Sequence, residues 1–217
     1  MHVKQLICGL PKKLRRPLLK IVSNLEVVVW NIRNRPSPPP HYVKVKIISD
    51  YAKRFRTETL IETGTYLGQT VDDLKSTFDM IYSVELDKIL YRNAKRIFSR
   101  RKNIKIIQGN SSIILPRIIK HIKECSLFWL DAHYSGGITT RGSKETPILD
   151  ELQAVARSKV KGHVILIDDA REFTGKGNYP TIKKIRTFVN EKFPNYKIKI
   201  SDDIIQIYPH EIKILER

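Results

Sequence analysis

Five short apolar runs rich in β-branched residues, at 59–62, 80–84, 104–107, 127–130 and 164–167, recur along this chain with helical patterns between them. The intervening patterns cover 70–78, 88–98, 112–122, 147–156 and 181–193. Strands that are apolar throughout, rather than alternating, are buried on both faces, and strand–helix alternation joins them in parallel. Two further strand-like runs, 196–200 and 204–208, are separated only by Ser201, Asp202 and Asp203. A gap that short permits only a hairpin, so the last strand is expected to run antiparallel to its neighbour. The expected class is therefore α/β: an open, mostly parallel sheet with helices on both faces.

The segment before this alternation differs in kind. Apolar residues at Leu18, Leu19, Ile21, Val22, Leu25, Val28 and Val29 follow helical spacing over 17–32, beside Lys13, Arg15, Arg16 and Lys20. This predicts a basic amphipathic helix, open to three uses: covering the core, pairing with another subunit as a homodimer, or lying on a membrane surface. Residues 35–40, Arg-Pro-Ser-Pro-Pro-Pro, stop a helix and form a stiff linker. The boundary is placed there, with 1–40 as the extension and 41–217 as the main domain. Of the formal net charge of +18, residues 1–60 carry more than half, with 13 Lys and Arg against 3 Asp and Glu. Such a surface attracts polyanions, whether nucleic acid, lipid head groups or a phosphorylated substrate, though general solubility charge explains it equally well. Cys8 and Cys125 match no metal or redox spacing, and no apolar run is long enough to span a bilayer. A cytoplasmic setting is expected.

The chemistry gathers where the strands end. The first run leads into Glu62-Thr63-Gly64-Thr-Tyr-Leu-Gly68 and then a helical pattern. Glycines at that turn let backbone approach a ligand, in the crevice beyond the strand ends where open α/β sheets bind. The spacing is not the Gly-x-Gly-x-x-Gly of pyrophosphate binders, which disfavours a nicotinamide oxidoreductase. Glu85 ends the second run, where a carboxylate can accept both hydroxyls of a ribose. Asn110 and Ser111 after the third run either cap a helix or line the crevice. The fourth run is followed by Asp131-Ala-His133-Tyr134-Ser-Gly-Gly137, and the fifth by Asp168-Asp169. Three carboxylates on neighbouring strand ends suit a hard divalent ion such as Mg²⁺. The alternative is that one acid caps a helix and another pairs with Arg141 or Arg171.

These residues, in this order, resemble the class I S-adenosylmethionine-dependent methyltransferases, over roughly residues 46–209. Glu62-x-Gly64-x-x-x-Gly68 is similar to that family's cofactor loop, Glu85 to its ribose acid, and Gly109-Asn110-Ser111 to its adenine-side turn, where an Asp often replaces Asn110. The resemblance implies a Rossmann-like seven-stranded sheet and S-adenosylmethionine as cofactor, bound by Glu62, Thr63, Gly64, Gly68, Glu85, Asn110, Ser111 and Asp131. Within the family, Asp131 with Asp168 and Asp169 resembles the Mg²⁺ triad of the catechol, caffeoyl-CoA and macrolide-sugar O-methyltransferases. That implies methylation of a small hydroxylated acceptor. The catechol type has a basic Lys shortly after the first Asp; here Ala132, His133 and Tyr134 follow, so Asp131 and His133 become the catalytic candidates. Arg141 and Lys144 stand in a loop suited to hold an anionic group of the acceptor. The signature of amino-group methyltransferases acting on bases is absent, and no aromatic-interleaved basic motif marks an RNA module, so nucleic acid is a disfavoured partner. An RNA methyltransferase and a non-catalytic nucleotide-binding protein of this fold remain the rival readings.

Overall fold

Strands form where the apolar runs predict them, because only a sheet covered on both sides hides every residue of such a run. In the computed structural model, which describes residues 12–131 and 146–210, the elements follow one another as α1 (Lys12–Ile32), α2 (His41–Phe55), β1 (Thr59–Thr63), α3 (Gln69–Leu74), β2 (Met80–Glu85), α4 (Lys88–Ile97), β3 (Ile104–Gln108), α5 (Ser111–Ile119), β4 (Ser126–Leu130), α6 (Ile148–Ala156), β5 (Val164–Ile167), a 3-10 turn (Ala170–Glu172), α7 (Ile182–Lys192), β6 (Tyr196–Ser201) and β7 (Ile204–Pro209). The seven strands lie in the order β3-β2-β1-β4-β5-β7-β6. β1 to β5 pair in parallel, and β7 is antiparallel to both its neighbours, β5 and β6. The expected hairpin is present. Its turn holds Asp202 and Asp203 at φ 56° and 62°, a left-handed pair that matches the twist of a two-residue connection.

Every residue of β1, β4 and β5 is buried. One face of the sheet presents Ile61, Phe128, Leu130 and Ile165 to α5, α6 and α7, through Leu115, Leu152 and Ile185. The other presents Leu60, Leu127, Trp129 and Leu166 to α2, α3 and α4, through Ile48, Leu74 and Ala94. Full burial of each such side chain contributes about 1.5–3 kcal/mol, so the two faces together hold most of the hydrophobic stabilisation.

Helix α2 is an element beyond those expected from the sequence above. It starts after Pro40, buries Val43, Ile48, Ala52 and Phe55, and ends at Arg56 in the left-handed conformation, φ 51°. Tyr51 stacks on Phe55 and meets Tyr208 of β7 edge-on, and its hydroxyl donates to Gln206 Oε1 at 2.8 Å. Helix α1 begins at Lys12, before the expected start at Pro17, and Trp30 near its end is buried. The indole N–H donates to the Pro36 carbonyl at 2.7 Å, and the Arg35 guanidinium lies 4.8 Å over the ring. Among the described residues no helix is long and apolar enough to cross a membrane.

His163, at the start of β5, is buried for structural reasons. Its Nδ1 accepts the Ser126 N–H at 3.1 Å, Nε2 lies 2.9 Å from Ser158 Oγ, and the ring meets Phe128 at 5.1 Å. Burial, with the Lys161 charge nearby, lowers its pKa to about 4. The unfolded chain takes up this proton near pH 6.5 and the folded chain only near 4. Stability is therefore complete above about pH 6.5 and declines toward 4, by roughly 3 kcal/mol from this residue. Denaturant unfolding between pH 7.5 and 5 is expected to show this slope in the wild type and a shallower one in His163→Gln. Equal slopes would mean that His163 titrates alike in both states.

Candidate active site

Parallel pairing continues for one rung past each strand end. The amide of Gly64 donates to the Val84 carbonyl at 2.9 Å, that of Gly109 to Glu85 at 2.9 Å, that of Asp131 to Thr63 at 3.0 Å and that of Asp168 to Leu130 at 3.1 Å. The four loops that carry the expected site residues are thereby fixed side by side along one edge.

Glu85 closes the first part of this edge. Its Oε2 accepts the Tyr66 N–H at 2.7 Å and its Oε1 the Asp87 N–H at 2.9 Å, so the side chain staples the β1–α3 loop to the β2–α4 loop. Burial raises its pKa in opposition to these hydrogen bonds. Each carboxylate oxygen retains a second lone pair for a ligand hydroxyl. Gly64 and Tyr66 adopt φ of 90° and 48°, which turns the loop sharply. Gly68, at φ 75°, has a further reason to be glycine: a Cβ there would lie 2.8 Å from the Phe98 ring.

Glu62 points into the interior beneath this loop and is 1% exposed. Ser83 donates its hydroxyl to Glu62 and lies 2.5 Å from Thr65 Oγ1. Burial dominates and pushes the Glu62 pKa to about 8, so the carboxyl is mostly protonated at neutral pH. The neighbouring Thr63 hydroxyl is buried with no hydrogen-bond partner. Asn110 acts as the cap of α5: its Oδ1 accepts the Ser112 N–H at 3.0 Å and the Ser112 hydroxyl at 2.9 Å. Ser111 is the buried first residue of that helix.

The acids of β4 and β5 converge as expected: one oxygen from each of Asp131, Asp168 and Asp169 lies within 4.8 Å of the others. Two cations join them. Lys44 of α2 donates to Asp168 and lies 3.7 Å from Asp169. Burial works against the Lys44 charge, but Asp168, with Asp131 and Asp169 beyond it, outweighs burial and raises its pKa. Asp168 also titrates higher than usual, since burial and the charge of Asp169 together exceed the help from Lys44. Its Oδ1 accepts the Asp169 N–H at 2.8 Å, and Asp169 holds a left-handed φ of 55°. The second cation is Arg171. Its guanidinium pairs with Asp169 at 2.8 Å and with Asp203, which also accepts the Arg171 N–H at 2.8 Å. The pairing of one acid with Arg171, set out above as the alternative to a metal, therefore exists together with the triad. Glu172 also lies 3.4 Å from the Arg171 guanidinium, so both cations of this edge stand among acids.

His133, Arg141 and Lys144 lie outside the described residues. The residue that the sequence reading misses is Lys44. The available signal is the recurrence Val43, Ile47, Ile48, Tyr51, Ala52, Phe55 after a proline run, which is a helix pattern placing Lys44 beside its apolar face.

No protein-family model matches this chain. No curated protein matches it either. Solved structures do resemble it. An O-methyltransferase from Bacillus cereus in complex with S-adenosylhomocysteine has a TM-score of 0.58 at 14% identity, over 85% of this chain and 89% of that one. The O-methyltransferase TomG from Streptomyces achromogenes, involved in tomaymycin synthesis and solved with S-adenosylmethionine, gives 0.56 at 12%, over 86% and 88%. A protein from Clostridium thermocellum, provisionally designated an rRNA methylase, gives 0.54 at 15%, over 76% and 96%. The chain thus has the fold of the class I S-adenosylmethionine-dependent methyltransferases, in the strand order seen here.

Lys44 is the counter-ion of a carboxylate whose side chain is 1% exposed, and its own is 19% exposed. Removing one partner of such a pair strands the other charge, at a cost of about 3–5 kcal/mol. Lys44→Met is expected to lose that much stability at pH 7 in chemical denaturation, and Lys44→Met/Asp168→Asn to recover most of it. A loss below about 1 kcal/mol would show a pair weakened by solvent.

Proposed function

We propose that this chain is an S-adenosylmethionine-dependent O-methyltransferase acting on a small hydroxylated acceptor. The observation that carries this reading is the placement, on adjacent strand ends of one edge, of the Glu62–Gly68 loop with Glu85 and of the Asp131–Asp168–Asp169 cluster. In this reading Glu85 accepts the ribose hydroxyls, the turned backbone at Gly64 admits the cofactor, and Thr63, Gly68, Asn110 and Ser111 shape its surroundings. The acid cluster receives the acceptor. Methyl transfer is an in-line displacement in which the acceptor oxygen forms the new bond and the sulfonium sulfur keeps the electron pair of the broken one. The protein's main contribution is to hold oxygen, methyl and sulfur in line. His133 is the proposed recipient of the hydroxyl proton.

The donor set fits a hard divalent ion, since one carboxylate oxygen from each of Asp131, Asp168 and Asp169 lies within 4.8 Å of the others. Asp131, Asp168 and Asp169 would hold Mg²⁺, whose chemistry there is to lower the pKa of the acceptor hydroxyl. Lys44 partly neutralises these acids by placing an ammonium against Asp168. A second reading, an RNA acceptor, rests on the net charge of +18.

Calorimetric titration with S-adenosylmethionine and S-adenosylhomocysteine tests the cofactor. Micromolar binding, weakened at least tenfold in Glu85→Gln, is expected; no heat from either compound would remove the methyltransferase reading. Glu62 adds a sharper signature. A cationic cofactor beside a carboxyl that titrates near 8 favours its ionised form, so binding at pH 7 should release protons. The heat should then vary with the ionisation enthalpy of the buffer in the wild type and not in Glu62→Gln. EDTA is expected to lower turnover and Mg²⁺ to restore it. Full turnover of Asp168→Ala in EDTA would exclude the metal from the mechanism.

A further inference from the structure

Helix α1 carries apolar residues on two opposite sides. Trp30 and the half-buried Leu19 and Val27 face the body of the protein. On the other side Leu14, Ile21, Leu25, Val28 and Ile32 are 56%, 54%, 58%, 52% and 76% exposed. With the half-buried Leu18, their spacing alternates between four and three residues, which confines them to an arc of about 80° on the helix surface. Five large aliphatic side chains in one row, each more than half exposed, are more than a scatter of surface hydrophobics.

The charges around the row select its partner. Seven Lys and Arg lie between Lys12 and Arg35, and Glu26 is the one acid there. Two copies of this helix laid together would bring cations against cations, with no acidic residues at the flanking positions to bridge them. An anionic surface meets the same charges favourably. An apolar stripe on a helix rich in Lys and Arg is the arrangement of a helix lying in the plane of a lipid head-group layer. Spanning the layer is excluded by the same charges.

We infer that α1 docks this protein on anionic lipid membranes through the Leu14–Ile32 row. The docked helix is joined to the catalytic edge. Arg35, just past its end, pairs with Asp202 at 2.6 Å in the β6–β7 turn, and the adjacent Asp203 holds Arg171, which holds Asp169. An acceptor displayed at the membrane surface would thus be met by the edge that carries the acid cluster. This last consequence rests on the proposed methyl transfer; the docking does not.

Sedimentation of the full chain with phosphatidylglycerol-containing and pure phosphatidylcholine vesicles tests the inference without any enzymatic readout. At least tenfold stronger binding to the anionic vesicles is expected, declining as salt rises. Ile21→Glu/Leu25→Glu should abolish it with an unchanged melting temperature, because both side chains are exposed. Lys13→Glu/Lys20→Glu should weaken it at least tenfold. Equal or absent binding to both vesicle types would overturn the proposal. So would a dimer broken by Ile21→Glu/Leu25→Glu, or retention on RNA, in a chain that ignores the vesicles. Loss of cofactor binding together with intact vesicle binding would count against the methyltransferase reading alone.

Discussion

The last hydrogen bond of each parallel strand pair organises this protein. A parallel ladder has no turn to end it, so each chain leaves the sheet where the neighbouring carbonyl still holds its next amide. Gly64, Gly109, Asp131 and Asp168 are all caught in this way, against Val84, Glu85, Thr63 and Leu130. At these positions the apolar runs of β4 and β5 give way to the acids Asp131 and Asp168. The sheet therefore presents its chemistry in a row, at strand spacing, and the order of the strands decides which loops become neighbours. β1 lies between β2 and β4, which sets Gly64 beside Glu85 on one side and Asp131 on the other.

Burial then sets the charge state of what the row carries. Glu62 and Asp168 are both nearly inaccessible, yet they end differently. Glu62 has hydroxyls and the like charge of Glu85 near it, with no cation to offset burial among the causes of its shift, and stays largely neutral near pH 7. Asp168 has the Lys44 ammonium and the amide of Asp169, which oppose the cost of burial. The same carboxyl group near the ends of two strands is thus a hydrogen-bonding acid in one place and part of an ion cluster in the other.

Much of this is legible in the sequence because it is local. A strand buried on both faces must be apolar along its whole length, and Leu127–Leu130 or Val164–Ile167 announce themselves without reference to the rest of the chain. The residue after such a run is equally visible, which is why Glu85, Asp131 and Asp168 can be picked out. Lys44 cannot be picked out in that way. It is one of 40 basic residues, on a helix of mixed pattern, and its partner lies 124 positions later. Asn110 shows the opposite limit: cap and crevice residues share a composition, and only the bonds to Ser112 distinguish them. Likewise, Asp202 and Asp203 read as the tip of a hairpin, while the pairing of Asp203 with Arg171 depends on β7 returning between β5 and β6.

That return has a consequence for how the molecule is made. The Lys44–Asp168 bond closes a loop of 124 residues, and the Tyr51–Gln206 bond one of 155. A ribosome delivers Asp131, Asp168 and Asp169 well before it delivers Asp203 or the rest of β7. Until then Arg171 lacks its Asp203 partner, and helix α2 has no Tyr208 to pack on. Loop closure over such distances is entropically slow to reward, so the nascent chain gains little by assembling this edge early. The last strand to emerge is the one that locks the second helix and the acid cluster in place, and a chain truncated before β7 would leave both unfinished.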